Sequence, residues 1–525
     1  MLKRRGFLSG STIAAGMAAA GAMAQTDPAA PLRTVVVGAG MSGLYSTYRL
    51  INAGHASSDI AIFEASDRVG GRLRSERLPG ADNVAAEFGG MRFLTSQKLV
   101  TALIAHLGLK HRGFPMGGPA NLVHMRGKRW TDADYARKGA VPFDLAPDEA
   151  GMDPTALMVK AINQVVPGAE KLTLAQWDRV KQTAMLDGRP LHAWGYRDLM
   201  NRFLSYEAMV VVQAGGGYNS IPTNCSASEA LPWLLADFVT DPTYRTLIDG
   251  MHGLPVALAE QVESQGVKIN RQHRLMALRV PAQTGTGLHE LVFDTPSGPR
   301  TIRAQRVILG LPRRSLDLIE DARVLRDRTT AALLGTVTPR ALAKAYIAHA
   351  DPYWRRFGLT SGKATTDLPG RQFYYFGTEP ERTVPANGYL TMAYFDGDST
   401  DFWDGRRRLE SHQARGFSRL DAKGPFAREM QRQIARVHDL PTPPEVLSAG
   451  YVNWGDDPYG GGWHSWNQGE KSWEIMPRII APVPGVDLHI IGEAWSTGQG
   501  WIEGALQTTE NLLTGPLNTP RPNWL

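Results

Sequence analysis

The chain has 525 residues, 43% of them hydrophobic and 21% charged, too long for one hydrophobic core and composed like a globular protein, so two or three domains are expected. Three charges of the formal +6 sit on Lys3, Arg4 and Arg5, and no basic run is interleaved with aromatics, which argues against nucleic acid as a partner. The single cysteine, Cys225, excludes a disulfide framework, a CxxC zinc site and an iron–sulfur cluster, and the absence of HExxH and GxSxG argues against a metallopeptidase or a serine hydrolase.

Residues 1–24 hold a charged start, a mild Ala/Gly-rich apolar stretch and the small-residue site Ala22-Met23-Ala24, which predicts cleavage before Gln25. The core Arg4-Arg5-Gly6-Phe7-Leu8 resembles a twin-arginine signal, which exports proteins already folded. A periplasmic or secreted protein is expected. The alternative, a membrane anchor, is disfavoured by the shortness of the apolar stretch, and no later run is long enough to span.

Thr34-Val35-Val36-Val37 is a β-branched run suited to a buried parallel strand, and it leads directly into Gly38-Ala39-Gly40-Met41-Ser42-Gly43 and a helical stretch from Leu44 to Ala53. This is GxGxxG between a strand and a helix. Gly38 permits the tight turn, Gly40 lets a pyrophosphate approach the backbone, and Gly43 lets helix and strand pack closely. The phosphates of a dinucleotide would rest on the helix N-terminus, where unpaired N–H groups favour anions. A second strand, Asp59 to Phe63, ends at Glu64, 21 residues after Gly43, where an acid can bind ribose hydroxyls. The string Glu64-Ala65-Ser66-Asp67-Arg68-Val69-Gly70-Gly71-Arg72 then places glycines and arginines beside the expected pyrophosphate, which favours FAD over a nicotinamide cofactor.

Further blocks follow in order. They are Gly89-Gly90-Met91-Arg92, Gly250-Met251 with Leu254-Pro255, Val307 to Pro312, and Lys344 with Trp354. Trp454 with Asp457-Pro458-Tyr459, Gly492-Glu493 and Gly500-Trp501-Ile502-Glu503-Gly504-Ala505 complete the set. In this order and spacing the chain resembles the flavin amine oxidase family, which includes monoamine, polyamine and L-amino acid oxidases. The resemblance covers almost the whole mature chain and is nearest to bacterial L-amino acid oxidases.

The resemblance implies an α/β fold with a discontinuous Rossmann-type FAD-binding domain over 31–75, 246–330 and 446–525. It also implies a mixed-sheet substrate domain over 76–144 and 331–445, and a helical insertion over 145–245. It places Met41, Ser42, Glu64, Ala65, Gly71 and Arg72 on the ADP half of FAD, and Gly89, Gly90, Met91 and Arg92 beside the isoalloxazine ring. Glu493 and the run Gly500, Trp501, Ile502, Glu503, Ala505 would hold the flavin end. Monoamine oxidases attach FAD through a cysteine near the C-terminal end; Cys225 lies far from that position, so non-covalent FAD is expected. The family often has an aromatic residue or histidine after the Gly-Glu pair, where this chain has Ala494-Trp495. Relatives are commonly dimers, so a homodimer is expected.

The resemblance gives Arg92 the carboxylate of an L-amino acid, because a guanidinium fork matches two carboxylate oxygens and fixes orientation. Tyr394, closing a strand from Tyr389, would share that carboxylate. Lys344 would hold a water near the flavin, Trp501 would wall the pocket, the Gly500 carbonyl would accept the amine N–H, and Trp233 would reach in from the helical region. The expected reaction takes an L-amino acid and dioxygen to a 2-oxo acid, ammonia and hydrogen peroxide. An oxidase of amines lacking a carboxylate, an amino-acid monooxygenase and a non-catalytic flavoprotein are the alternatives. Asp237, Asp241 and Glu474 are candidates to recognise a basic side chain.

Overall fold

The computed structural model describes residues 25–26 and 30–525, except 115, 221–222, 240–241, 282–286 and 411–415. The expected export signal and Asp241 lie outside the described residues.

Two eight-stranded sheets organise the chain. In the first, Leu32–Val37 runs parallel to Ile60–Phe63 on one side and to Arg300–Leu309 on the other, with Val35 opposite both Ala61 and Val307. Lys268–Asn270 extends it beyond Ile60–Phe63. Arg300–Leu309 is long enough to be shared along one edge. Its first half pairs antiparallel with His289–Asp294, which continues to Arg274–Arg279, and its second half pairs parallel with Leu488–Ile490. Val35, Val36, Ile62, Val307 and Ile308 are almost fully covered, as expected for β-branched strands buried on both faces. One face packs on helices Met41–Asn52, Gly253–Ser264 and Ile502–Thr514, and the other on Leu316, Leu333, Trp466 and Ile475.

The second sheet runs in the order Ser418–Leu420, Ser448–Asn453, Leu342–His349, Tyr389–Asp396, Gln372–Phe376, Lys363–Thr366, Leu122–Met125 and Lys128–Thr131. Its back carries helix Pro425–His438 over a core that includes Trp354, Phe373 and Ile434. Its front holds Tyr346, Tyr374 and Met392 against Phe88 and Met91. Helices Pro154–Val165, Leu174–Thr183, Tyr196–Phe203 and Ala227–Phe238 form a separate apolar cluster around Leu157, Trp177 and Leu231.

Several local expectations shift. The strand expected from Asp59 begins at Ile60 because Ser57–Asp59 forms a short 3-10 turn. Tyr394 does not end its strand, which continues to Asp396. Within the expected helical insertion, residues 196–210 form two helices and not one, Tyr196–Phe203 and Tyr206–Val210. Leu204 between them is extended, and Ser205 caps the second by accepting from the Ala208 amide. Glu149 secures that break by accepting from both Ser205 N–H (2.8 Å) and Ser205 Oγ (2.6 Å). Strand Ser448–Asn453, expected with the dinucleotide unit, belongs to the second sheet.

Candidate active site

A cavity of about 800 Å³ opens between the two sheets and reaches the turn after Leu32–Val37. At that turn Gly38 has φ +101°, and a Cβ there would stand 2.7 Å from the Gly310 carbonyl. Gly40 has nothing within 4 Å of a built Cβ, so its face is open space beside the N-terminus of Met41–Asn52. With no acid in that helix's first turn, the position suits a phosphate. Glu64 lines the same end, its carboxylate accepting from Ala39 N–H (2.8 Å), Ser66 N–H (2.9 Å) and Ser66 Oγ (2.7 Å). Arg68 is turned into its own loop, donating to the carbonyls of Val69, Gly71 and Leu73, so it is a brace and not a free phosphate cation.

At the opposite wall Glu493 is a buried hub. It pairs with Arg72 at 2.8 Å and accepts from His464 N–H (2.9 Å), His464 Nδ1 (2.9 Å) and Gly500 N–H (2.8 Å). Burial pushes its carboxyl up, but Arg72, His464 and the amide of Gly500 together outweigh it and hold the group well below the usual carboxylate range. Glu493 thus fixes the loop that ends in Gly500 and Trp501 against Arg72 from the first turn region.

The remaining end of the cavity is walled by aromatics. Trp233 and Trp463 stack at 5.4 Å with rings 3° apart, and Trp233 Nε1 donates to the Gln499 carbonyl at 2.8 Å. Arg92, 7% exposed, lies 4.7 Å over the Tyr244 ring and 5.9 Å over the Trp501 ring. Its Nε and Nη1 have no hydrogen-bond partner among the described residues. Burial opposes its charge, yet nearby Tyr374, Tyr218, Tyr244 and the Asp237 carboxylate hold it above its ordinary value, so the guanidinium stays charged. Asp237, pushed up by burial and drawn back by Arg92 and the Tyr244 hydroxyl, accepts that hydroxyl at 2.8 Å.

Lys344 and Tyr394 are direct cross-strand partners in the second sheet, so period-2 alternation puts both on the cavity face. Tyr218 packs edge-on to Tyr394 at 5.6 Å. Lys344 Nζ, fully buried, donates to the carbonyls of Gly89 (2.5 Å) and Glu87 (3.1 Å). It therefore ties the second sheet to the segment that carries Arg92.

Of the residues picked from sequence, Gly38, Gly40, Met41, Ser42, Glu64, Ala65, Gly71, Arg72, Gly89, Gly90, Met91, Arg92, Trp233, Lys344, Tyr394, Glu493, Gly500, Trp501, Ile502 and Ala505 all line this one cavity. Two do not. Gly43 lies behind it, where a Cβ would fall 1.9 Å from the Gly38 carbonyl, so it serves helix–strand contact. Glu503 faces away and accepts from Leu99 N–H (3.0 Å) and Val100 N–H (2.9 Å), satisfying the first turn of helix Lys98–His106. Glu474 is also away from the cavity, exposed and paired with Lys471. Sequence reading gave no role to Tyr218, Trp463, Tyr374, Tyr244 and Glu87; Tyr218 lies in a loop and the others on strands Trp463–Trp466, Gln372–Phe376, Tyr244–Leu247 and Ala81–Glu87, so their meeting follows from tertiary packing and not from any short motif. Only Trp463, two residues past Gly461 in a Gly-rich run, carried a local signal.

A sequence profile described as "Flavin containing amine oxidoreductase" matches residues 41–511, and the chain belongs to that family. Among curated proteins it is similar to Aplysianin-A of Aplysia kurodai, 24% identical over 511 residues covering 92% of this chain and 89% of that one. It is also similar to achacin of Lissachatina fulica (25% over 507 residues, 91% of each chain). An L-amino-acid oxidase of Gloydius halys is 23% identical over 488 residues, 91% of this chain and 87% of that one. Among solved structures, a putrescine oxidase bound to putrescine superposes with a TM-score of 0.67 at 18% identity, covering 94% of this chain and all of the other. That likeness concerns the fold. The protein is a flavin-dependent amine oxidoreductase.

Proposed function

We propose that the protein oxidises L-amino acids, converting the amino acid, water and dioxygen to a 2-oxo acid, ammonia and hydrogen peroxide with non-covalently held FAD. The observation that carries this reading is Arg92: a buried guanidinium in the cavity wall with two donor nitrogens unpartnered among the described residues. Asp237 offsets part of that charge, but buried donors left unpaired are costly, and a planar fork of donors is best satisfied by a carboxylate. An amine without an acid group leaves that need unmet.

The bare Gly40 cradle, the Glu64 acid and the Arg72–Glu493 pair fit the two ends of an elongated dinucleotide. FAD, when bound, supplies the two-electron oxidation of the amine-bearing carbon and passes the electrons to dioxygen. The chain's own residues do the positioning. Arg92 and the Tyr394 hydroxyl hold the carboxylate, so the substrate can turn only one hydrogen toward the cofactor side. The Gly500 carbonyl accepts an amine N–H, Trp501 and the Trp233–Trp463 stack exclude bulk water, and the third N–H of Lys344 holds the water that hydrolyses the imine. Cys225, the sole cysteine, is buried outside this cavity, which supports non-covalent attachment. Acid precipitation is therefore expected to release the flavin into the supernatant.

Asp237 in the same cavity favours a second reading, an amine lacking a carboxylate whose distal cation pairs with that acid. Peroxide release from a panel of L-amino acids, their decarboxylated amines and putrescine separates the two. Analysis for an amide and carbon dioxide identifies a monooxygenase instead. For the oxidase reading, Arg92→Ala is expected to lower kcat/KM on L-amino acids by roughly 100-fold or more, the scale of losing a buried charged hydrogen-bond pair. Equal turnover of decarboxylated amines by the wild type sinks it. We further propose that the segment before Gln25 exports the folded flavoprotein through the twin-arginine route, which a double Arg4→Lys, Arg5→Lys variant tests by retaining the protein in the cytoplasm.

A further inference from the structure

We propose that Glu87 is a positioning residue that acts on the reacting centre through Lys344, as the acid buried beside this lysine and the anchor of the segment that carries Arg92. The inference rests on the amine-oxidising site proposed above but not on which amine it takes.

Glu87 ends strand Ala81–Glu87, 4% exposed, behind the cavity wall. Its carboxylate accepts from Ser75 Oγ (2.7 Å) and from Met251 N–H (2.8 Å), and Ser75 Oγ in turn accepts from His252 N–H (3.1 Å). Gly250 has φ +105°, and a Cβ there would stand 2.6 Å from Ser75 Oγ and 3.1 Å from Glu87 Oε1. A bare residue is therefore what lets the 250–252 loop close on the carboxylate. The backbone of the same segment is clamped from the other side. The Glu87 carbonyl accepts from Lys344 and from Tyr346 Oη (3.3 Å), the Phe88 carbonyl from Trp454 Nε1 (2.7 Å), and the Gly89 carbonyl again from Lys344. Three consecutive carbonyls each receive a side-chain donor, and Arg92 follows three residues later.

The charges around this node leave Glu87 a specific part. Lys344 Nζ lies against the Glu87 and Gly89 carbonyls and feels the charges of the Glu87 carboxylate and Arg92, with the Tyr394 ring 5.6 Å away and Tyr346 on its own strand. Glu87 faces Ser75, Lys344, Tyr346 and the more distant, exposed Arg77. Burial drives the lysine down and the acid up. Arg92 lowers the lysine further, and Glu87 is the acid that opposes this. Without Glu87 the lysine is left between burial and Arg92, and it loses its proton at a lower pH.

The test follows Lys344 directly. In ¹⁵N-lysine-labelled holoenzyme its Nζ resonance is the one missing from Lys344→Met, and its midpoint is read by pH titration. Glu87→Gln, which keeps the shape and an acceptor for Met251 N–H, is expected to lower that midpoint by about one pH unit or more, and Glu87→Asp to restore most of it. The pH profile of flavin reduction by whichever amine the enzyme accepts should move by the same amount. An unmoved lysine midpoint in a folded, FAD-loaded Glu87→Gln protein overturns the proposal, because a merely structural glutamate would change melting temperature alone. If Glu87→Gln does not accumulate, Ser75→Ala makes the carboxylate a weaker acid and should move the lysine the same way by less; no shift there counts against the proposal. Failure to oxidise L-amino acids leaves this titration readable, so the two readings fail separately.

Discussion

At Gly43 the chain permits no side chain, and the consequence is felt at the cofactor. The built Cβ would overlap the Gly38 carbonyl at 1.9 Å, with Val36 Cγ1 3.2 Å away. Gly43→Ala must therefore push helix Met41–Asn52 off the sheet and displace the N–H groups that await a phosphate. FAD retention is expected to weaken about tenfold or more, the equivalent of roughly 1.4 kcal/mol, read as bound flavin per polypeptide after gel filtration; full occupancy would refute the packing role. Glycines and Glu64 were legible in the sequence because a turn of fixed geometry needs them at fixed spacing. Arg92 was legible only through resemblance. Asp237 and Glu87 were not assignable, because a carboxylate in a helix or at a strand end reads the same whether it faces solvent or a buried cation.

Helices Met41–Asn52 and Ile502–Thr514 meet far from each other in sequence, and a buried ion pair joins them. Arg49 pairs with Glu510, Tyr45 Oη donates to Glu510 at 2.7 Å, and Arg49 also donates to the Pro520 carbonyl at 2.7 Å. Breaking such a pair from one side leaves an uncompensated buried charge, so Arg49→Met is expected to cost about 3–5 kcal/mol. The double variant Arg49→Met, Glu510→Met should cost clearly less. Urea unfolding of the three proteins measures this; equal losses in single and double variants would show that packing, not charge, decides. Each helix presents its N-terminal residues to the cavity, Met41 and Ser42 from one and Ile502 and Ala505 from the other, so the single variant should also lose flavin. The first of these helices was readable in the sequence as the stretch from Leu44 to Ala53 after the glycine turn. The break at Leu204 was not, because it depends on Glu149 reaching Ser205 from 56 residues away.

For the whole molecule, two histidines sealed in the second sheet's core set a limit toward acid. His438 is fully buried with Nε2 2.5 Å from Tyr375 Oη and Nδ1 2.8 Å from the Ile434 carbonyl, and His349 Nδ1 lies 2.7 Å from the Glu445 carbonyl. Burial lowers both to about 4. Between about 4 and the unfolded value near 6.5 the unfolded chain binds more protons than the folded one, so stability rises with pH over that window and is lost as pH falls through it. Each histidine accounts for up to about 3 kcal/mol of that loss. Melting temperature is expected to fall steadily from pH 7 to pH 4, and His438→Phe to flatten part of the slope. A melting temperature constant over that range would contradict the neutral, buried assignment.

The amino-acid sequence by itself determined the strand–turn–helix around Gly38 and the acid that follows the next strand, because each depends on short-range steric and periodic requirements; the family's blocks were legible only through resemblance. The tertiary structure alone decided which charges meet. Residues 87, 92, 237 and 344 converge only after two sheets close over one cavity, and burial there turns ordinary acids and bases into a coupled set. Interactions of that kind depend on distance through a low-dielectric interior, which no spacing along the chain records.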